Sequence, residues 1–102
     1  MPSSNKTTFE VGSLAITAAG TAENLTAHRV PQGFYLTLHA HPGNQGYIYY
    51  GRTKVIAEAH HFTLEAGASG KLAIDNVGDV WADCSVSGET IEWQHETANA
   101  DV

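Results

Sequence analysis

Apolar and polar residues alternate most clearly between residues 34 and 41 of the chain. Side chains of a strand point to opposite faces with a period of two, so the pattern predicts a strand with one aliphatic face and one polar face. Residues 42–44 predict a turn, and the tyrosine-rich residues 47–50 predict a second strand that ends at Gly51. The two rows of the first strand are Phe34, Leu36, Leu38 and Ala40 on one face and Tyr35, Thr37, His39 and His41 on the other.

Shorter alternations predict further strands on both sides of this pair. Residues 7–11 are predicted to form a strand with Phe9 and Val11 inward, followed by a turn at Gly12 and a second short strand over residues 14–18. Ile91 and Trp93 are expected to face the core from the last strand, and the chain from His95 onward to be polar. The other predicted strands cover residues 53–58, 60–65, 71–75 and 79–86.

About eight strands at this spacing, with no segment that predicts a long helix, indicate an all-β fold, an antiparallel β-sandwich or jelly roll. A length of 102 residues indicates one domain. We expect the sandwich to cover residues 7–96, preceded by a flexible N-terminal arm over residues 1–6 and followed by a polar C-terminal tail over residues 97–102.

The charge distribution excludes some classes of partner. The net charge is −6, and no basic residue follows Lys71. Nucleic acid and anionic membranes are therefore not expected as partners, because both require clustered Lys and Arg. The acidic residues are expected to form a solvated face: Asp75, Asp79, Asp83, Glu89, Glu92, Glu96 and Asp101.

The cysteine count and the N-terminal sequence bear on the compartment. Cys84 is the only cysteine, so the fold does not depend on an intrachain disulfide. No apolar run reaches the ~18 residues of a spanning helix, and the first ten residues lack the apolar segment of a secretory signal. We expect folding in a reducing cytoplasm.

Histidines raise the possibility of a metal site. His39 and His41 share a strand face, and the stretch from Gly33 to Gly51 resembles the first cupin motif, with Gln45 in place of its glutamate. Cupin ligands point into the barrel, which would turn the aliphatic row of the same strand to solvent. Burial of those side chains contributes roughly 5–8 kcal/mol, so we expect the histidines to point outward. A cupin-like metal protein that uses His39 and His41 is kept as an alternative.

Other chemical patterns are weaker. Cys84 falls on the inferred core row, so it is expected to be a buried apolar residue and not a nucleophile. The spacing of Asp75, Asp79 and Asp83 does not match a calcium loop. No catalytic residue and no cofactor is predicted.

Aromatic residues give the more informative signal. Tyrosines and a tryptophan fall on or near the face opposite the aliphatic rows, and exposed Tyr and Trp are a usual basis for contact with a protein or a sugar. The alternative is that they pack against another segment of the same chain. A carbohydrate-binding module that uses Trp81 is a further possibility. The candidates for contact are Tyr47, Tyr49, Tyr50 and Trp81.

The order of the motifs along the chain resembles that of small virion proteins of tailed bacteriophages. A lead-in, GTAENLTAHRVPQG, precedes the hairpin that contains N-x-G-x-I-Y-x-G. A turn and strand of the form L-x-x-G-x-S-x-x-L-x-I-D-N follow, and then the ending D-V-W-x-x-x-x-V-x-G-x-x-I-x-W. The resemblance covers residues 20–93.

This resemblance implies a capsid decoration (cement) protein, a β-sandwich or jelly roll without catalytic residues. The implied partner is the major capsid protein, the implied oligomer is a homotrimer, and the implied location is the outside of the virion, after assembly in the host cytoplasm. Residues 1–10 lie outside the resemblance, and a capsid-clasping role for the N-terminal arm is a hypothesis.

Overall fold

The computed structural model describes residues 7–98 of the chain. Eight strands, one short α-helix and one turn of 3₁₀ helix make up its regular structure. In chain order they are β1 (Thr7–Ala15), β2 (Glu23–Asn24), β3 (Leu36–Ala40), β4 (Ile48–Gly51), α1 (Lys54–Glu58), β5 (Phe62–Leu64), β6 (Ser69–Leu72), the 3₁₀ helix (Val77–Asp79), β7 (Trp81–Cys84) and β8 (Thr90–Ala98).

The strands form two four-stranded antiparallel sheets. The first sheet has the order β1-β8-β3-β6 and the second the order β2-β7-β4-β5. Strands therefore pair from the outside of the chain inward: β1 with β8, β2 with β7, β3 with β6 and β4 with β5. A long antiparallel ribbon that is wrapped into two facing sheets gives this order, which is that of a jelly roll. The predicted all-β sandwich is confirmed.

The core lies between the two sheets, and β3 sets its register. Leu36, Leu38 and Ala40 are fully buried, while His39 and His41 lie on the outer side. The register argument from the sequence is thus confirmed. Around this row pack Ile16, Leu25, Val30, Ile48, Leu64, Ile74, Val77, Val80, Ala82, Cys84, Ile91 and Trp93.

Loops collect at the two ends of the sandwich. One end carries the β2–β3 loop (residues 25–35), the β6–β7 connection (residues 73–80) and Arg52, which follows β4. We call it the cleft end. The opposite end carries the β1–β2, β3–β4, β5–β6 and β7–β8 loops.

The prediction of two short strands before residue 20 is wrong. β1 runs without interruption from Thr7 to Ala15, and Val11 faces outward with 68% of its surface exposed. Gly12 is not a turn residue. It pairs with Trp93 of β8, and a Cβ atom there would lie 2.5 Å from Cε2 and Cζ2 of the Trp93 ring. Gly12 is the residue that leaves room for the indole.

The strand predicted over residues 53–58 is a helix instead. Thr53 is the N-cap of α1, and its Oγ1 accepts a hydrogen bond of 3.1 Å from the Ile56 N–H. This side-chain bond satisfies one of the free N–H groups of the first turn. Val55 and Ile56 are β-branched and favour a strand, which is why the prediction was wrong. In so short a segment, tertiary packing overrides intrinsic propensity. No helix within residues 7–98 is long and apolar enough to cross a membrane.

The polar segment expected from His95 onward is part of β8, which continues to Ala98. His95 is buried, and its ring stacks on Trp93 with 5.9 Å between centroids. His28 packs on both rings. The predicted N-terminal arm, residues 1–6, lies outside the described residues.

A substitution at Gly12 tests the packing of β1 on Trp93. Gly12→Ala places a methyl group where the indole lies, so the ring or the strand must move. We expect a loss of about 1–3 kcal/mol in the free energy of unfolding, measured by urea denaturation. The exposed neighbour Ser13→Ala is the matched control. A Gly12→Ala protein within about 0.5 kcal/mol of the wild type would contradict this account.

Candidate binding surface

The outer face of the second sheet carries most of the aromatic residues singled out in the sequence. Tyr49 lies opposite Asp83, and Gly51 lies opposite Trp81. Because Ile48 and Cys84 form the inner row, Tyr47, Tyr49 and Trp81 belong to the outer row. Tyr50 is on the inner row, packed against the core and in tilted contact with Phe62 at 5.6 Å between ring centroids.

Helix α1 covers part of this outer face. It follows β4 directly, and Ala57 is its buried contact with the sheet. Gly51 permits the close approach, since a Cβ atom there would lie 2.5 Å from Cγ2 of Ile56 and 2.9 Å from the backbone nitrogen of Ala57. Val55, on the opposite side of the helix, is exposed.

The second residue after the helix holds an unusual conformation against this face. His60 has φ of 61°, in the left-handed region that side chains other than Gly seldom adopt. Its ring stacks on Tyr49 with 3.7 Å between centroids, and its Nε2 lies 2.9 Å from Oδ2 of Asp83. Together these two contacts hold the turn from α1 to β5 against the sheet.

Asp83 was expected among the solvated acids, and that prediction is wrong. The side chain points to the outer face of β7, as expected. The carboxylate nevertheless has no exposed surface, because the β1–β2 loop and His60 cover it. Oδ1 accepts hydrogen bonds of 2.8 Å from the N–H groups of Gly20 and Cys84. A buried carboxylate requires such partners, since an unpaired charge in the interior is costly.

Side chains accept hydrogen bonds from much of the backbone of the β1–β2 loop. Four N–H groups of residues 17–22 donate to side chains from four different parts of the chain. The pairs are Thr17 to Glu23 (2.7 Å), Ala19 to Ser87 (2.9 Å), Gly20 to Asp83 (2.8 Å) and Ala22 to Glu58 (2.8 Å). The loop lacks strand partners, and these bonds replace them.

Glu58 and Glu89 show the same use of acidic residues. The Ala22 N–H, and after it the Lys54 ammonium at 3.1 Å, hold the pKa of the Glu58 carboxyl below its usual range. Glu89 is buried, and its carboxylate accepts from the N–H groups of Gln45 and Gly46 at 3.0 and 3.4 Å. The expectation of a uniformly solvated acidic face is therefore wrong for Asp83 and Glu89.

The cupin-like residues lie elsewhere, on and near the outer face of the first sheet. Nδ1 of His39 is 3.0 Å from a carboxylate oxygen of Glu92. Nδ1 of His41 accepts a hydrogen bond of 2.9 Å from the Gly43 N–H, inside the β3–β4 turn, and Gln45 is bound through its backbone. Within residues 7–98, no three His, Cys, Asp or Glu side chains lie close enough to hold one metal ion.

Cys84 is a buried free thiol, as its position on the core row predicted. Burial, and secondarily the charge of Asp83, raises the pKa of the thiol. A raised pKa keeps it protonated, which makes it a poor nucleophile.

Most of the outer face of the second sheet is thus occupied by the chain's own residues, and the exposed apolar side chains lie around it. Tyr47 is 46% exposed on the outer row, and Val86 is exposed on the adjacent β7–β8 loop. At the other side lies Val55 of α1. Phe62 of the edge strand β5 is also exposed, but it pairs with Tyr50 and therefore belongs to the inner row. We call Tyr47, Val55 and Val86 the apolar rim.

No pattern in the sequence indicates the contact of His60 with Asp83, because it depends on a loop and a helix that cover the sheet. The outward position of Tyr47 was predicted from the alternation of side chains along the strand alone. No family model, no curated protein and no solved structure matches this chain.

Substitutions at Asp83 and His60 separate backbone anchoring from the contact between the two side chains. Asp83→Ala leaves two N–H groups without acceptors, so we expect a loss of about 3–5 kcal/mol in the free energy of unfolding. His60→Ala removes only a half-exposed partner and should cost about 1 kcal/mol. Urea denaturation measures both. Equal losses for the two variants would show that the pair, and not the backbone bonds, holds the loop.

The lowered pKa of Glu58 predicts a dependence of stability on pH. A carboxyl whose pKa is depressed by folding stabilises the protein above its unfolded pKa, and this contribution disappears as the pH falls through the folded pKa. The melting temperature of the wild type should exceed that of Glu58→Gln at neutral pH, and the difference should be clearly smaller at about pH 3, which lies below the pKa of about 4.3 of an unperturbed glutamate. A difference that is the same at both pH values would contradict the prediction.

Proposed function

We propose that this chain is a structural virion protein of the tailed-bacteriophage type, a capsid decoration (cement) protein that binds the outer surface of the shell as a homotrimer. Its partner would be the major capsid protein. The observation that carries the proposal is the apolar rim, because three large hydrophobic side chains are exposed around one face of the sandwich. Exposed apolar side chains grouped on one face favour a protein contact.

The residues of the resemblance support the same proposal through the fold. Asn44 clamps the β3–β4 loop to β8, with its side-chain amide bonded to the backbone N–H and C=O of Thr90 at 3.0 and 2.9 Å. Gly46 leaves room for Ser85, and Gly51 for α1. Gly67 and Gly88 have positive φ in the turns where the motifs place them. These motif residues thus stabilise the loops and turns of the sandwich.

The mechanism would be mechanical bridging. A decoration protein stabilises a shell by binding neighbouring subunits at once, and a trimer presents three copies of the same rim. Multivalent contact makes dissociation slow even where one copy binds weakly. A stable contact needs roughly 800 Å² on each partner, which is more than the rim alone provides, so the surrounding polar surface would take part.

The placement of His39 and His41 gives the cupin-like alternative no support, since both point away from the space between the sheets. A metal in that space would have to be bound by other residues.

Capsid binding tests the rim. Tyr47→Ala should lower the occupancy of the protein on capsids of the encoding phage that lack it, at least about tenfold at subsaturating concentration, because aromatic anchors dominate such contacts. Cosedimentation of the purified protein with these capsids measures occupancy. Tyr35→Ala, an exposed tyrosine at the cleft end, is the matched control. Equal occupancy for Tyr47→Ala and the wild type would refute the role of the rim.

A further inference from the structure

The cleft end of the sandwich contains a depression that the proposed function does not use. Its volume is about 480 Å³, and it adjoins a second hollow of about 670 Å³. The two share Val30, Gln32, Asp75 and Asp79 as walls. Sites for small ligands have volumes in this range.

The walls of the cleft are held in place by backbone bonds between the β2–β3 loop and the β6–β7 connection. The Val30 N–H donates to the Asp75 carbonyl at 2.9 Å, and the Val77 N–H donates to the His28 carbonyl at 2.8 Å. Oδ1 of Asn76 accepts from the N–H groups of His28 and Gly78 at 3.1 and 2.8 Å. Because these bonds already order the loops, a ligand would not bear that entropic cost.

The polar groups of the cleft carry both signs of charge. Asp75 and Asp79 line it, and within residues 7–98 neither carboxylate has a hydrogen-bond or ion-pair partner. Arg52 faces them from the end of β4, held by one bond of 3.0 Å from Nη2 to the Ala73 carbonyl. Arg29 lines the adjoining hollow, as do the amide side chains Gln32 and Asn76.

This mixture argues against a charged ligand. The two carboxylates would repel an anion, and the two guanidinium groups would repel a cation. A neutral ligand with many hydroxyl groups fits both, because each hydroxyl donates to a carboxylate and accepts from a guanidinium or amide N–H.

Tyr35 supplies an aromatic surface beside these groups. It immediately precedes β3, lines the cleft, and is 59% exposed although its neighbour Leu36 is fully buried. The short connection before it is fixed by a bond of 3.1 Å from the Phe34 N–H to the Pro31 carbonyl. A tyrosine offers a large, rigid surface with an apolar face at low entropic cost, which suits the C–H face of a sugar ring.

We propose that the cleft binds a neutral oligosaccharide, with Tyr35 stacked on a sugar ring and Asp75, Asp79 and Arg52 bonded to its hydroxyl groups. The cleft is open and shallow, so binding is weak, with a dissociation constant on the order of 1 mM. The site is separate from the apolar rim, and its occupation does not depend on shell binding.

Titration of the ¹⁵N-labelled protein with neutral gluco-, galacto- and manno-tetrasaccharides, followed by amide chemical shifts up to about 10 mM, tests the proposal. At least one of them should shift amides of residues 29–35 and 73–79. Tyr35→Ala, and separately the double variant Asp75→Asn with Asp79→Asn, should weaken binding about tenfold or more, since hydrogen bonds to charged groups are strong. Tyr47→Ala, on the apolar rim, should bind as the wild type does.

Three results would overturn the proposal. The first is the absence of cleft shifts with every neutral saccharide. The second is tighter binding of sialylated or sulfated oligosaccharides, or of a charged peptide, than of the neutral sugars. The third is unchanged binding by Tyr35→Ala. The capsid test depends on Tyr47 and the saccharide test on Tyr35, so one proposal can fail while the other stands.

Discussion

Burial of the aliphatic row of β3 is the constraint on which the rest of the structure depends. Leu36 and Leu38 are fully buried in the core, and each contributes about 1.5–3 kcal/mol relative to an exposed position. A shift of one residue would exchange this row for Thr37 and His39, so the register is fixed. The neighbours β6 and β8 take their register from β3, and β1 takes its register from β8. The direction of the side chains across the first sheet follows from one strand.

Acidic side chains perform a second structural task that net charge does not reveal. The second sheet has a two-residue edge strand, β2, and the loop that leads to it has few strand partners. Asp83, Glu58 and Glu23 provide acceptors for its N–H groups. Part of the negative charge of the chain is thus committed to its own backbone, whereas Asp75 and Asp79 remain available to a ligand.

The sequence predicted those features that depend on alternation within one strand. Alternation along a strand is enough to predict the inward rows of β3 and β7, the buried Cys84 and the outward position of Tyr47. The features that it did not predict depend on contacts between distant segments. Glycine is common in turns, and only the position of Trp93 shows why Gly12 lies within a strand. Asp83 alternates along β7 as an exposed residue would, but a loop covers it. Thr53 is a usual N-cap, but the β-branched residues that follow it favoured a strand. The cleft was missed because its walls come from three loops, and no single segment carries its pattern.

The pairing of the first strand with the last has a consequence for biosynthesis. β8 lies between β1 and β3 at the centre of the first sheet, yet the ribosome releases it after the other seven strands. Until then β1 has no neighbour and the inner face of the first sheet lacks Ile91 and Trp93. A chain whose contacts join its two ends has a high contact order and folds slowly. The nascent protein therefore exposes unpaired strand edges for most of its synthesis, and such edges are prone to aggregation until β8 is in place.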